Sequence, residues 1–314
     1  MAQRAKRDDP PTPDPGTKLR GRALGIDIGG SGVKAALVDL ATGELASERI
    51  REKTPHPATP DAVAAVTASV VARTLQGTRV GKGLAVGCGL PGVIKDGRLQ
   101  TTANIDPTWL DISAEEVIGA AIDRPVLAIN DADAAGIAEV TYGAARGEMG
   151  TVLVLTIGTG IGSALFIDGR LVPNTELGHL ELHGKDAETR VSGASRERRT
   201  IGWKRWSLEF DEYLDRMEAY LWPDLIILGG GVSKEMARFE KSLTSRAPVR
   251  PAIHLNAAGI IGAAYAAASA APSAGPARSA SPARSASPAR SASARPAGPS
   301  AAAMEAKTSP AQPS

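Results

Sequence analysis

Short apolar runs alternate with longer stretches of helical spacing over most of this chain. Runs at residues 22–28, 33–38, 83–88, 126–129, 151–156, 162–167, 225–228 and 249–254 have the length and β-branched content of strands. Residues 61–75, 113–122, 132–142, 207–221, 233–243 and 257–268 carry apolar positions at helical spacing. In the fourth of these, Phe210, Tyr213, Leu214, Met217 and Leu221 form one stripe, which predicts a core-facing helix. Two strand hairpins, each followed by alternating helices and strands, predict two related α/β halves with a cleft between them. The expected division is a smaller domain over 22–129 and a larger one over 130–256, with a last helix at 257–270 folding back on the first half.

Both ends break the pattern. Residues 1–21 are rich in Pro, Lys, Arg and Asp without hydrophobic periodicity, and they contain no apolar core of a signal peptide or membrane anchor. From 271 to 314 the chain is mostly Ala, Ser, Pro and Arg, with Pro-Ala-Arg recurring at Pro276, Pro282 and Pro288. Such tracts bury too little apolar surface to offset their ordering entropy, so both are expected to be disordered. No stretch reaches the length of an apolar membrane span, so a soluble, cytoplasmic protein is expected.

Composition narrows the chemistry. Aromatic residues make up only 4%, while small aliphatic residues and 34 glycines suit closely packed α/β layers. Cys88 is the only cysteine, which excludes an internal disulfide and a cysteine-based zinc cluster. The net charge of +2 identifies no partner.

The chemistry-bearing positions lie where apolar runs end. Residues 23–34 read as a tight hairpin whose turn, Gly29-Gly30-Ser31-Gly32, is too small-sided to serve packing. Clustered main-chain N–H groups in such a turn form a seat for an anion, and Asp27 and Lys34 flank it. Taken alone, this segment also fits an ordinary glycine hairpin. A second small-residue loop, Thr156 to Gly162 with Thr159 and Gly160, lies between two strand runs in the same way. Gly229-Gly230-Gly231 ends a third run and opens the stretch 233–243, where a helix N-terminus would add positive potential. Gly89-Leu90-Pro91-Gly92 suits backbone contact with a small ligand. Asn130-Asp131 joins a strand to a helix; one of the pair can cap the helix while the other faces a ligand as a general base. Glu176, His179 and Glu188 could hold the vicinal hydroxyls of a sugar, although each taken singly fits a solvated surface residue.

These residues together resemble the sugar kinases of the ROK family, within the actin-like ATPase and hexokinase superfamily. The likeness runs over roughly residues 22–268. It is carried by Asp27-Ile28-Gly29-Gly30-Ser31 with Lys34, by Asn130-Asp131, by Gly158-Thr159-Gly160, by Glu176 with His179, by Glu188, and by Gly229-Gly230-Gly231. The resemblance implies a two-domain, ribonuclease H-like α/β fold with an interdomain cleft. By the same likeness Asp131 is the catalytic base, and Asn104, Asn130, Glu176, His179 and Glu188 hold the sugar. Asp27, Gly29, Gly30, Ser31, Lys34, Thr159, Gly160, Gly230 and Gly231 hold the phosphate donor. Mg²⁺ is implied at Asp27, through water. Ser31 stands where threonine is more usual and keeps the hydroxyl. A cysteine-rich zinc loop follows the Glu-x-x-His segment in many members, but residues 180–187 contain no cysteine, so no structural zinc is expected. Residues 184–188 and 222–234 resemble the polyphosphate glucokinase branch of the family.

That likeness implies glucose as acceptor, inorganic polyphosphate or ATP as donor, and a homodimer. An ATP-dependent glucokinase is the rival within the class. A sugar-sensing regulator is the rival outside it, but only about twenty Pro-rich residues precede the first strand, too few for a helix-turn-helix. Neither nucleic acid nor membrane is an expected partner. A basic run, with Arg196, Arg198, Arg199, Lys204 and Arg205, follows Glu188 and reads either as a track for a long polyanion or as a solvated face. A position at a helix N-terminus is expected to keep Asp131 ionised.

Overall fold

Residues 19–270 are described by the structure, a computed structural model, and the remainder of both predicted tails lies outside the described residues. At the inner end of the first tail, Leu19 packs against two of the cores and the Gly21 carbonyl accepts the Leu40 N–H.

The first sheet starts from the hairpin of β1 (Arg22–Gly29) and β2 (Gly32–Asp39), with β3 (Ile50–Glu52) added to its edge. After α1 (Pro60–Leu75) come β4 (Val86–Leu90) and a small hairpin of β5 (Ile94–Lys95) and β6 (Arg98–Leu99). Following α2 (Ala114–Ile122), β7 (Leu127–Asn130) completes the order β3-β2-β1-β4-β7, with β4 and β7 parallel to β1. Then α3 (Asp131–Thr141) leads to the second sheet. There β8 (Thr151–Ile157), β9 (Ile161–Ile167) and β10 (Arg170–Val172) form the antiparallel part. A ladder of β11 (Glu181–Leu182) and β12 (Lys185–Asp186) precedes α4 (Glu188–Val191), α5 (Gly193–Arg198) and α6 (Trp203–Leu221). The parallel strands β13 (Leu225–Gly230) and β14 (Val249–Pro251) complete the order β10-β9-β8-β13-β14, and α7 (Ala258–Ala270) ends the fold. The two sheets repeat one topology, a hairpin followed by parallel additions on its first strand.

The small-residue composition has a structural cause between the sheets. Helix α7 carries no charge and lies with its backbone against β1 and β4 on one side and α3 on the other. A Cβ at Gly25 would sit 1.9 Å from the Ile260 carbonyl oxygen, and one at Gly262 would sit 1.6 Å from the Ala134 carbonyl oxygen. Only hydrogen fits at those two contacts. Helix α3 in turn packs on β9, so the layers run first sheet, α7, α3, second sheet. The outer face of the first sheet forms a core with α1 and α2. That of the second buries Phe210, Tyr213, Leu214 and Met217 of the predicted stripe, with Leu221 partly buried at its edge.

Two of the predicted helices differ. Helix α6 starts at Trp203, four residues before the predicted start at 207, because Trp206 and the ring of Trp203 join its aromatic core. Residues 233–243 do not form an α-helix; they fold as 3₁₀ turns at Val232–Arg238 and Glu240–Ser242, broken at Phe239 with φ −139°. Phe239 is 1% exposed and is packed among Trp203, Trp206 and Phe210, so burial of its ring outweighs the local helical preference.

Candidate active site

Both hairpin turns open onto one cavity of about 570 Å³. Register explains the polar pair at its floor: Asp27 and Lys34 face each other across β1 and β2, and Lys34 Nζ donates to Asp27 Oδ2 at 2.6 Å. The turn is fixed from behind, where Arg51 Nη2 donates to the Ser31 carbonyl at 2.9 Å and the Thr54 hydroxyl donates to the Gly29 carbonyl. Those carbonyls are thereby occupied on the β3 side.

At the end of β7, Asn130 caps α3. Its Oδ1 accepts the N–H groups of Ala132 at 2.8 Å and Asp133 at 3.0 Å. Its amide nitrogen donates to the Gly92 carbonyl at 3.0 Å and to Glu176 Oε1 at 3.4 Å. This releases Asp131, the first residue of the helix, to line the cavity. Burial, then the negative charges of Asp27 and Glu176, push its carboxyl up to about 7, against the lowering influence of the Ala132 N–H and Lys34. The expectation that the helix dipole keeps Asp131 ionised is therefore corrected. Desolvation and two neighbouring carboxylates outweigh a dipole that acts over one turn.

The remaining polar groups converge on the same space. Glu176 is raised by burial, with His179 opposing. His179 Nδ1 lies 2.9 Å from Asp186 Oδ2, the contact that chiefly raises the imidazole, and its Nε2 lies 3.8 Å from Glu176 Oε2. Glu188 Oε2 accepts the Ile161 N–H at 3.1 Å, which ties this carboxylate to the second hairpin turn. Asn104, in the left-handed region at φ 62°, packs its backbone on Gly30, where a Cβ would meet the Asn104 carbonyl oxygen at 2.8 Å.

Asn104, Asn130, Asp131, Glu176, His179 and Glu188 all line the cavity, as do Asp27, Gly29, Gly30, Ser31, Lys34, Thr159, Gly160 and Gly230. Gly231 lines instead a second cavity of about 440 Å³, which shares Gly158 and Thr159 with the first. Of the basic run only Arg196 lines that second cavity. Arg199 makes a two-pronged pair with Glu209 at 2.6 and 2.7 Å and donates to the Arg190 carbonyl, and Arg205 lies 3.6 Å from the same glutamate. Arg198 and Lys204 are exposed.

Sequence reasoning missed Asp133 and Arg238. Asp133 is 1% exposed, accepts the Asn174 N–H at 2.8 Å, and is pushed up to about 7 chiefly by burial. The Asp-x-Asp spacing at the start of α3 was its only signal. Arg238 reaches the second cavity from a segment read as a plain helix.

Among the described residues no three His, Cys, Asp or Glu side chains gather into a metal-binding group. A single carboxylate at the cavity floor still fits Mg²⁺, which keeps most of its waters and leans on substrate phosphates.

The ROK family profile matches residues 23–195. The chain belongs to the ROK family. It is 44% identical over 253 residues to the polyphosphate glucokinase of Mycobacterium tuberculosis, covering 80% of this chain and 93% of that one. The crystal structure of the inorganic polyphosphate/ATP-glucomannokinase from Arthrobacter sp. strain KM superimposes with a TM-score of 0.76 at 47% identity, over 78% of this chain and 97% of that one. A ROK family glucokinase from Streptomyces griseus, solved with glucose and AMPPNP, shares the fold at 24% identity and a TM-score of 0.68, over 79% of this chain and 99% of that one. The fold is thus the actin-like, hexokinase-type α/β fold of ROK sugar kinases. Among the described residues no helix is long and apolar enough to cross a membrane.

Proposed function

We propose that this ROK protein is a polyphosphate-dependent glucokinase that transfers a phosphoryl group to the 6-hydroxyl of glucose. The observation that carries the reading is the carboxyl of Asp131, set in the cavity shared by both hairpin turns and pushed up to about 7. A base with that affinity is partly ionised at neutral pH and can accept a hydroxyl proton as the transfer proceeds. The likeness to polyphosphate glucokinase over most of both chains supports the substrate pair.

In this reading Asn104, Asn130, Glu176, His179 and Glu188 hold the sugar so that its 6-hydroxyl faces Asp131. The turns at Gly29–Ser31 and Thr159–Gly160 hold the terminal phosphates of the donor from two sides. The transition state of phosphoryl transfer is loose, so alignment and charge neutralisation provide most of the acceleration. Lys34 contributes a positive charge beside the transferring group and pairs with Asp27. Mg²⁺, held by Asp27 through water, would neutralise phosphate oxygens when bound. The bond from the terminal phosphorus to the chain oxygen breaks, a bond to O6 forms, and the proton of O6 moves to Asp131; the shortened polyphosphate leaves. In the same reading the enzyme works in the cytoplasm as a homodimer.

The test supplies purified protein with glucose and Mg²⁺ and, in separate reactions, long-chain polyphosphate or ATP, scoring glucose 6-phosphate. Formation with polyphosphate supports the reading. Formation with ATP alone replaces it by an ATP-dependent glucokinase, and formation with neither sinks it.

A further inference from the structure

The second cavity continues from the donor side of the first, sharing Gly158 and Thr159 with it. If the terminal phosphates rest on that turn, whatever follows them in the donor enters this space. Its chemistry is set around one ring. Trp203 is stacked on Phe239 at 5.7 Å and 16°, and Trp206 meets it edge-on at 5.5 Å. The guanidinium of Arg196 lies over the same ring, 4.1 Å from its centre, and that of Arg238 lies 5.9 Å from it. The Arg196 side chain is also tied down by donation from Nη1 to the Ile201 carbonyl at 3.3 Å. A purine seeking an aromatic platform here finds one already stacked on Phe239 and capped by a cation. An anion finds two guanidinium groups held at one wall.

The counter-charges are weakly engaged. Glu197 is 3.9 Å from Arg196 with its side chain 76% exposed, and Glu235 pairs with Arg238 at 3.1 Å within a single exposed turn. Exposed pairs of this kind contribute little and yield readily to a denser anion. Phosphate oxygens suit the planar donor forks of arginine better than they suit an ammonium group.

From this geometry we infer that the second cavity is the seat for the distal phosphates of an inorganic polyphosphate chain, with Arg196 and Arg238 as the residues that set donor preference. The inference rests on the phosphotransferase reading above and names the part of the donor that reading leaves unassigned. Arg198, Arg199, Lys204 and Arg205 take no part in it. Glu235 and Glu197 act against it, as gates that a polyanion must displace.

The test measures kcat/KM of the full chain with long-chain polyphosphate, tripolyphosphate and ATP, for the parent and for Arg238→Gln, Arg196→Gln and Glu235→Gln. Losing a charge-assisted contact to phosphate is expected to lower the ratio of long-polyphosphate to ATP efficiency about tenfold for each arginine. The ratio of tripolyphosphate to ATP should fall less, since a short donor reaches the second cavity with fewer charges. Glu235→Gln, an exposed change that leaves the Trp203 stack alone, should move the first ratio in the opposite direction. Equal losses with both donors, a larger loss with ATP, or no change in any ratio would overturn the inference while leaving the kinase reading intact. Direct polyphosphate binding, followed by calorimetry in the absence of glucose, separates the two readings further. A parent chain that binds polyphosphate no better than the double arginine variant overturns the seat whichever donor supports turnover.

Discussion

Replacing Asp131 by asparagine should stabilise the protein at neutral and alkaline pH. The carboxyl titrates near the ordinary aspartate value in the unfolded chain and near 7 in the folded one, so folding takes up a proton between those values. The sign follows from the raised value. Stability is fully present below the unfolded pKa, falls as pH rises, and levels out above about 7, where the folded state must carry a desolvated charge beside Asp27 and Glu176. A shift of about three units corresponds to about 4 kcal/mol at most. Asp131 lines an open cavity, and solvent there reduces the effect to about 1–3 kcal/mol. For a domain of this size that is a melting-point gain of roughly 3–10 °C in Asp131→Asn at pH 8. Asparagine keeps the shape and the side-chain oxygen, so little else changes. Thermal unfolding of both proteins from pH 4.5 to pH 8 provides the test, and the gap between them should widen as pH rises. Asp133, raised chiefly by burial in the same direction, is present in both chains, and the part of its shift that comes from the Asp131 charge is relieved in the variant, which adds to the gap. A variant no more stable than the parent at pH 8, or a gap independent of pH, would refute the placement of a desolvated charge at 131.

Two further outcomes follow from the same structure. The rate of glucose phosphorylation at limiting substrate should fall on the acid side of about pH 7, tenfold per unit, as Asp131 takes up its proton; Glu176→Gln, which removes a charge that raises Asp131, should move this limb to lower pH in whatever activity remains. Gly262→Ala should cost about 3 kcal/mol or more, because a methyl group 1.6 Å from the Ala134 carbonyl forces α3 and α7 apart; urea unfolding at pH 7 would show it as a lower midpoint, and an unchanged midpoint would contradict the backbone contact.

Much of the site was legible because its determinants are local. The β1–β2 hairpin is announced by an apolar run, two glycines and a second apolar run, and antiparallel pairing then sets Lys34 opposite Asp27 without further information. The same holds for Asn130 and Asp131, where capping chemistry assigns one side chain to the helix and leaves the other free. What could not be read depends on distant partners. The affinity of Asp131 for a proton answers first to burial and then to Asp27 and Glu176, each far away in sequence, so a dipole argument restricted to one turn had the wrong sign. The 3₁₀ turns at 232–238 exist because Phe239 is needed in an aromatic core built from α6, and the periodicity of 233–243 carries no trace of that demand. Arg238 meets Arg196 over Trp203 for the same non-local reason. The basic run had the reverse fault: it is contiguous in sequence, yet folding spends Arg199 on Glu209 and brings only Arg196 to the cavity.

The proposed reaction turns on one acid meeting one hydroxyl where the two glycine turns converge. Its most direct test compares glucose 6-phosphate formation by the parent and by Asp131→Asn under saturating polyphosphate and Mg²⁺, with glucose binding measured in parallel. The expected result is turnover reduced by about 10²–10⁴-fold with glucose affinity largely kept. Turnover in the variant within a few-fold of the parent would contradict the role of Asp131 and the mechanism built on it.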